Sequence, residues 1–368
     1  MKITVSVIKA DVGSIGGHLC PSPKVLEAVR AVVRERAPSL LRDWFLSHTG
    51  DDIAILMTHG QGPGAPEIHR LAWDAFLAGA ETARSEGLYG AGQDLLKTAF
   101  AGNVTGAGPA VAELELEERP AEPFLLFAAD KTDPGAYNLP LYLAFADPMN
   151  TPGLMLAPTM TRGFRWVIMD VDHTDGDRIV ELETPEDQYL LAALLRDGER
   201  FVVESIWSRT TGEQAAAVST SRLRNIAGKY VGKDDPVMLV RTQMTFPATG
   251  ELLAPFQAGH YVAGGMRGSH QMPLMPVKQG ATVSYFDGPP VVSCAAFSMR
   301  GGKLVGPVDT FDHPFWDHVR ARVSEKAIEM RRQGFFGAAM LPWGELEYTG
   351  ITQLLEALDD KFRVRRAR

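Results

Sequence analysis

The order of apolar patterns in the opening segment restricts the architecture more than any other feature of the chain. Ile3, Val5 and Val7 alternate with polar neighbours and predict a strand ending around Lys9, just before Asp11. Ser22-Pro23 reads as the N-cap and first position of a helix reaching about Arg36, with Val25, Val29 and Val32/Val33 on one face. Strands follow around Trp44–His48 and Ile53–Thr58, joined by the turn Thr49-Gly-Asp-Asp52. A second amphipathic helix is expected over Pro66–Glu86. This βαββα order is an α+β signature rather than a repeating parallel βαβ unit.

With 45% hydrophobic residues, the 368-residue chain can bury a substantial core, which excludes a disordered protein. A net charge of -8 argues against a general nucleic-acid binder, and the basic run Lys361–Arg368 reads as a solvated tail. Cys20 and Cys294 are too few for a disulfide framework or a cysteine-rich zinc site and read as small buried hydrophobes. The first residues lack the apolar run of a secretory leader, and no run approaches the ~18 residues of a membrane span. The expectation is a cytoplasmic protein with no membrane partner.

Further strands are expected at Val111–Leu116, Phe124–Ala129, Trp166–Val171, Phe201–Trp207, Val237–Met244, Thr282–Phe286 and Val291–Met299. Helices are expected at Pro185–Arg196, His313–Gln333 and Ile351–Leu358. Without a polar linker, low-complexity tract or internal repeat, residues 1–368 read as one large domain.

Acidic residues gather where these strands end. Asp11 follows the first strand, with His18 seven residues on; Asp51-Asp52 open another; Asp130-Lys131 close Leu125–Ala129; Asp234-Asp235 precede Pro236–Val240. Oxygen ligands with one histidine suit Mg2+ or Mn2+ better than zinc, although aspartate also favours turns for purely local reasons. Lys233 stands beside Asp234 and Asp235. A nucleophilic lysine must lose its proton, which neighbouring carboxylates oppose unless a cation cancels them. Lys131, Asn103 within Gly102–Gly108 and Arg267 within Gly264–His270 are candidates for handling phosphate. The segments Gly60–Gly64 and Gly228–Asp234 lack the spacing of a dinucleotide fingerprint and a P-loop.

Taken together, Asp11-(x)6-His18, Gly50-Asp-Asp52, Tyr89-Gly-Ala-Gly-Gln93, Ala129-Asp-Lys131 and Lys229-Tyr-Val-Gly-Lys-Asp-Asp-Pro236 closely resemble the bifunctional fructose-1,6-bisphosphate aldolase/phosphatases of archaea and deep-branching thermophilic bacteria. The resemblance extends to Glu347-Tyr-Thr-Gly350. It implies a single catalytic domain layered α-β-β-α, a homo-octamer, several Mg2+ ions per active site and small sugar phosphates as substrates. The implied reactions join dihydroxyacetone phosphate to glyceraldehyde 3-phosphate, then remove the 1-phosphate to give fructose 6-phosphate. It makes Lys233 the Schiff-base lysine, Tyr230 the aldolase proton donor/acceptor and Asp11 the proton acceptor of the phosphatase step. The implied metal ligands are Asp11, His18, Asp51, Asp52, Gln93, Asp130, Lys233, Asp234 and Asp235. The implied substrate contacts are His18, Tyr89, Gly102, Asn103, Lys131, Gln243, Met244, Arg267, Asp287 and Tyr348. Two alternatives stand beside it: a magnesium-dependent sugar-bisphosphate phosphatase in which Lys233 is only electrostatic, and a metal- or phosphate-binding protein without turnover.

Overall fold

The computed structural model describes residues 2–95, 108–173, 176–220, 234–264, 270–282, 289–333 and 351–365. The chain is mixed α and β, with several sheets. β1 (Lys2–Asp11), β2 (Asp43–Thr49), β3 (Asp52–His59) and β4 (Ala110–Glu117) form a four-stranded antiparallel sheet in the order β2-β3-β1-β4. The second sheet draws on β5 (Glu122–Asp130), β6 (Phe164–Asp170), β7 (Asp177–Glu183), β8 (Phe201–Ser208), β9 (Gln214–Val218) and β10 (Val237–Arg241). A separate hairpin, β11 (Tyr261–Gly264) with β12 (His270–Pro273), precedes β13 (Met275–Pro276), β14 (Val291–Arg300), β15 (Lys303–Asp309) and β16 (Arg363–Arg365). The large sheet has ten strands in the order β13-β14-β5-β10-β9-β8-β6-β7-β16, with β15 on β14.

The period-2 alternation of β1 divides its side chains between two cores. Ile8 and Ala10 pack with Val25, Val29 and Val33 of α1 (Pro23–Leu40) and with Leu71, Ala75 and Phe76 of α2 (Pro66–Ser85). Ile3, Val5 and Val7 point the other way and share a cluster with Leu126 and Ala128 of β5 and Val237 and Leu239 of β10. The opposite face of β5 places Leu125, Phe127 and Ala129 against Leu141 of α3 (Asn138–Ala146), Phe256, Phe311 and Val319. Ser22 caps α1 by accepting the Val25 N–H at 3.2 Å, with Pro23 behind it. The two helices touch closely at Gly79, where a Cβ would lie 2.8 Å from Val29 Cγ2.

Several expectations shift for physical reasons. β1 runs through Asp11 rather than stopping at Lys9, because its ladder with β3 continues to the Asp11–Asp52 pair. The strand expected over Val237–Met244 stops at Arg241, where Gln243 and Met244 take φ of 70° and 63° and turn the chain. The helix expected from Pro185 begins at Gln188. α3 was not foreseen: its apolar residues run all round, so periodicity does not separate it from a buried strand. Most of the strand expected at Thr282–Phe286 lies outside the described residues. Cys294 is buried as expected, whereas Cys20 is half-buried.

At one end of the large sheet, Arg241 of β10 and Glu122 of β5 form a fully buried two-pronged pair at 3.0 and 2.8 Å. Arg119 adds bonds of 2.7 and 3.0 Å to the same carboxylate and donates to the carbonyls of Thr242 and Gln243. Burial opposes ionisation of Glu122, but the two guanidiniums outweigh it and hold the carboxyl below its ordinary range. Arg241→Met is predicted to cost about 3 kcal/mol in urea unfolding, because it removes half the compensation of a buried charge. Arg241→Met with Glu122→Gln is predicted to recover part of that loss; equal losses would show that packing alone is responsible.

Candidate functional site

The ends of both sheets bring the acidic residues together. Asp11 closes β1 directly opposite Asp52, the first residue of β3, and the tight β2–β3 turn presents Asp51 beside them. Asp130 closes β5 in the other sheet, where its Oδ2 accepts the Asp51 N–H at 3.3 Å. Asp235 lies just before β10, and a two-way link joins it to the residue after Lys131. Its N–H donates to the Thr132 carbonyl at 3.1 Å, and its Oδ1 accepts the Thr132 N–H at 2.7 Å.

Two groups of ligand atoms result. Asp11, His18 and Asp51 form one; Asp52, Asp130 and Asp235 form the other, with the atoms of each group within 4.8 Å of one another. His18 Nδ1 lies 2.8 Å from Asp51 Oδ2 and 3.5 Å from Asp11 Oδ2, and its ring meets Tyr89 edge-on at 5.0 Å. Lys131 spans the groups, with Nζ 2.7 Å from Asp51 Oδ1 and 2.8 Å from Asp130 Oδ1. Lys131 and Asp235 both hold left-handed backbone, with φ of 62° and 54°, so the surrounding contacts override local preference.

Gly90 opens a cradle in the first group. Its φ is 67°, and a Cβ there would lie 3.1 Å from Gln93 Oε1, 3.8 Å from His18 Cε1 and 3.9 Å from Asp11 Oδ2. The absent side chain leaves space where an amide oxygen, an imidazole and a carboxylate converge. Such a donor set, mostly oxygen with one nitrogen, fits a hard divalent cation.

The charge states follow from this crowding. Burial first, and then Asp51, push the Asp11 carboxyl up to about 7 despite its bond to His18. Hydrogen bonds to Asp11 and Asp51 outweigh burial and raise His18 to about 10. Burial opposes the Asp51 charge, but Lys131 and His18 hold that carboxyl below its ordinary range. Asp130 is pushed well above the carboxylate range, by burial first and then by Asp51 and Asp52, although Lys131 opposes the shift. Lys131 stays well above the ordinary lysine range because Asp130 and Asp51 outweigh its burial.

Asp11, His18, Asp51, Asp52, Gln93, Asp130, Lys131, Asp235 and Tyr89 therefore meet at one place. Asp234 is half-buried next to Asp235 but belongs to neither ligand group. Gln243 and Met244 follow the far end of β10, roughly 20 Å of strand from Asp235, and do not join this cluster within one chain. Lys233, Tyr230, Gly102, Asn103, Arg267, Asp287 and Tyr348 lie outside the described residues. Sequence reasoning missed Asp94, a buried carboxylate whose Oδ2 accepts the Asp11 N–H at 2.9 Å. It also missed Ser14, whose Oγ donates to Asp51 Oδ2 at 3.1 Å. Asp94 adjoins Gln93 in the same glycine-rich stretch, the one signal that could have found it.

Comparison with known proteins agrees with this geometry. The family described as Fructose-1,6-bisphosphatase matches residues 2–363. A Thermus thermophilus protein called fructose-1,6-bisphosphate aldolase/phosphatase is 60% identical over 98% of this chain and 100% of its own length. Proteins of the same name from Ignicoccus hospitalis, 50% identical over 98% of this chain and 93% of their own length, and from Moorella thermoacetica, 48% identical over 98% and 94%, are also similar.

A cation held by Asp11 and His18 must displace protons. Below about pH 7 both groups carry one, and between about 7 and 10 only His18 does. The calorimetric affinity for a divalent cation is therefore predicted to rise with pH, more steeply below pH 7 than above. An affinity independent of pH between 5.5 and 8.5 would contradict these charge states.

Proposed function

The chain belongs to the fructose-1,6-bisphosphate aldolase/phosphatase family, and from that premise we infer that it carries both activities in gluconeogenesis. It condenses dihydroxyacetone phosphate with glyceraldehyde 3-phosphate to fructose 1,6-bisphosphate, then hydrolyses the 1-phosphate to fructose 6-phosphate and phosphate. The observation that carries this reading is the convergence of Asp11, His18, Asp51, Asp52, Asp130 and Asp235 from two sheets around the Lys131 ammonium. Once divalent cations fill it, a site of this kind can neutralise a phosphorylated substrate.

Members of this family depend on a divalent metal, and the proposed ion is Mg2+, several per site, held by Asp11, His18, Asp51, Asp52, Gln93, Asp130, Asp234, Asp235 and the backbone carbonyl of Lys233. When bound, such ions neutralise phosphoryl oxygens, activate water and stabilise a leaving alkoxide. In the aldol step, the Lys233 amine condenses with the carbonyl of dihydroxyacetone phosphate and expels water, giving an iminium that acts as an electron sink. Tyr230 takes the C3 proton, the resulting enamine carbon attacks the aldehyde, Tyr230 returns the proton to the new alkoxide, and water hydrolyses the iminium to free the amine. In the phosphatase step, Asp11 accepts the proton of the attacking water. Lys131 and Arg267 contact phosphate oxygens, with Tyr89, Gly102, Asn103, Asp287 and Tyr348 completing the substrate contacts.

Both reactions use Tyr230–Asp235, and two arrangements of that loop reconcile them. One presents the Lys233 amine to a carbonyl, and the other brings Asp234 and Asp235 onto the metal. The proposed architecture is one catalytic domain layered α-β-β-α; cores between α1/α2 and the small sheet, between the sheets, and behind β5 support it. A homo-octamer in the cytoplasm is proposed, and among the described residues no helix is long and apolar enough to cross a membrane. Because Gln243 and Met244 stand far from Asp235 in their own chain, their proposed substrate contact serves a neighbouring copy.

Borohydride added with dihydroxyacetone phosphate is predicted to leave a reduced adduct on Lys233, detected by peptide mass spectrometry and abolished in Lys233→Arg. Asp11→Asn is predicted to keep that adduct while phosphate release from fructose 1,6-bisphosphate falls by roughly 10²–10⁴-fold. Phosphate release without any trapping would leave a phosphatase alone.

A further inference from the structure

Lys9 continues the face of β1 formed by Ile3, Val5 and Val7, which packs against the large sheet, and it is 1% exposed. Its Nζ donates to Asp52 Oδ2. The register explains the reach. Asp11 stands opposite Asp52 and Lys9 opposite Ala54, so Lys9 and Asp52 are diagonal neighbours on one face. Lys131, by contrast, sits on a turn with its side chain 18% exposed and is shared between Asp51 and Asp130. Among the described residues Lys9 has no second carboxylate partner, and it is almost wholly shielded from solvent.

We propose that Lys9 is a positioning residue for metal binding: it anchors one oxygen of Asp52 while that carboxylate remains within the Asp52–Asp130–Asp235 group. A buried ammonium and carboxylate in an apolar interface hold each other in place, because removing either one leaves an uncompensated charge. The pair fixes the Asp52 carboxylate plane before any cation arrives, as outer partners of metal ligands do elsewhere. Lys9 also places a fixed positive charge near the ions, which by Coulomb repulsion alone would weaken their binding. Positioning outweighs that repulsion here, since an unanchored Asp52 has no other hydrogen-bonding side chain among the described residues to hold it.

The inference rests on Asp52 being a metal ligand, so the test separates the two. Mn2+ binding to the full chain is measured by electron paramagnetic resonance for wild type, Lys9→Met, Asp52→Asn and the double variant, with circular dichroism of each metal-free protein. Lys9→Met is expected to weaken Mn2+ binding about 10–100-fold without changing the circular dichroism. Asp52→Asn is expected to do the same, and the double variant to match Asp52→Asn within about twofold. Unchanged binding in Asp52→Asn would remove the ligand reading itself. Weakened Asp52→Asn beside unchanged or tighter Lys9→Met would overturn the role of Lys9 alone. If Lys9→Met does not fold, the neutral double variant decides: equality with Asp52→Asn supports the inference, and a further loss beyond tenfold overturns it.

Discussion

Mutual repulsion among Asp11, Asp51, Asp52, Asp130 and Asp235 is the constraint around which this end of the molecule is built. Carboxylates this close, four of them buried and Asp235 half-buried, do not all ionise unless cations stand among them. Among the described residues three do so: His18 against Asp51 and Asp11, Lys131 between Asp51 and Asp130, and Lys9 behind Asp52. Burial first, and then the neighbouring aspartates, push the Asp11 and Asp130 carboxyls upward, so protons make up what this compensation leaves.

The sheets make such crowding tolerable. Hydrogen-bonded ladders fix Asp11 and Asp52 opposite each other, and the β5–β10 register continues into the Thr132–Asp235 link. At the other end of β5 and β10, Arg241, Arg119 and Glu122 lock the same two strands with a second buried charge network. Ligand loops of a metal-dependent enzyme have to hold their geometry within a fraction of an ångström, and strands clamped at both ends can do so.

Much of this was legible in the sequence because strand ends and aspartates are local signals. The alternation of Ile3, Val5 and Val7 marked β1, and Asp11, Asp51-Asp52, Asp130 and Asp235 marked strand ends that the structure brings together, while Asp234 joins neither ligand group. What stayed hidden depends on register and packing. Lys9 interrupts an apolar face at period 2 from Val7 and Asp11, but only the β1–β3 pairing shows that it meets Asp52. The Asp94 bond to the Asp11 backbone arises from a turn that no periodicity predicts. The end of β10 at Arg241 is set by left-handed backbone at Gln243 and Met244, residue types that give no turn signal.

The most direct test of charge convergence as the basis of function is an anomalous diffraction map of crystals soaked in Mn2+. Peaks coordinated by Asp11, His18 and Asp51 and by Asp52, Asp130 and Asp235 are the predicted result. Strong Mn2+ peaks elsewhere, with neither group occupied at saturating Mn2+, would contradict it.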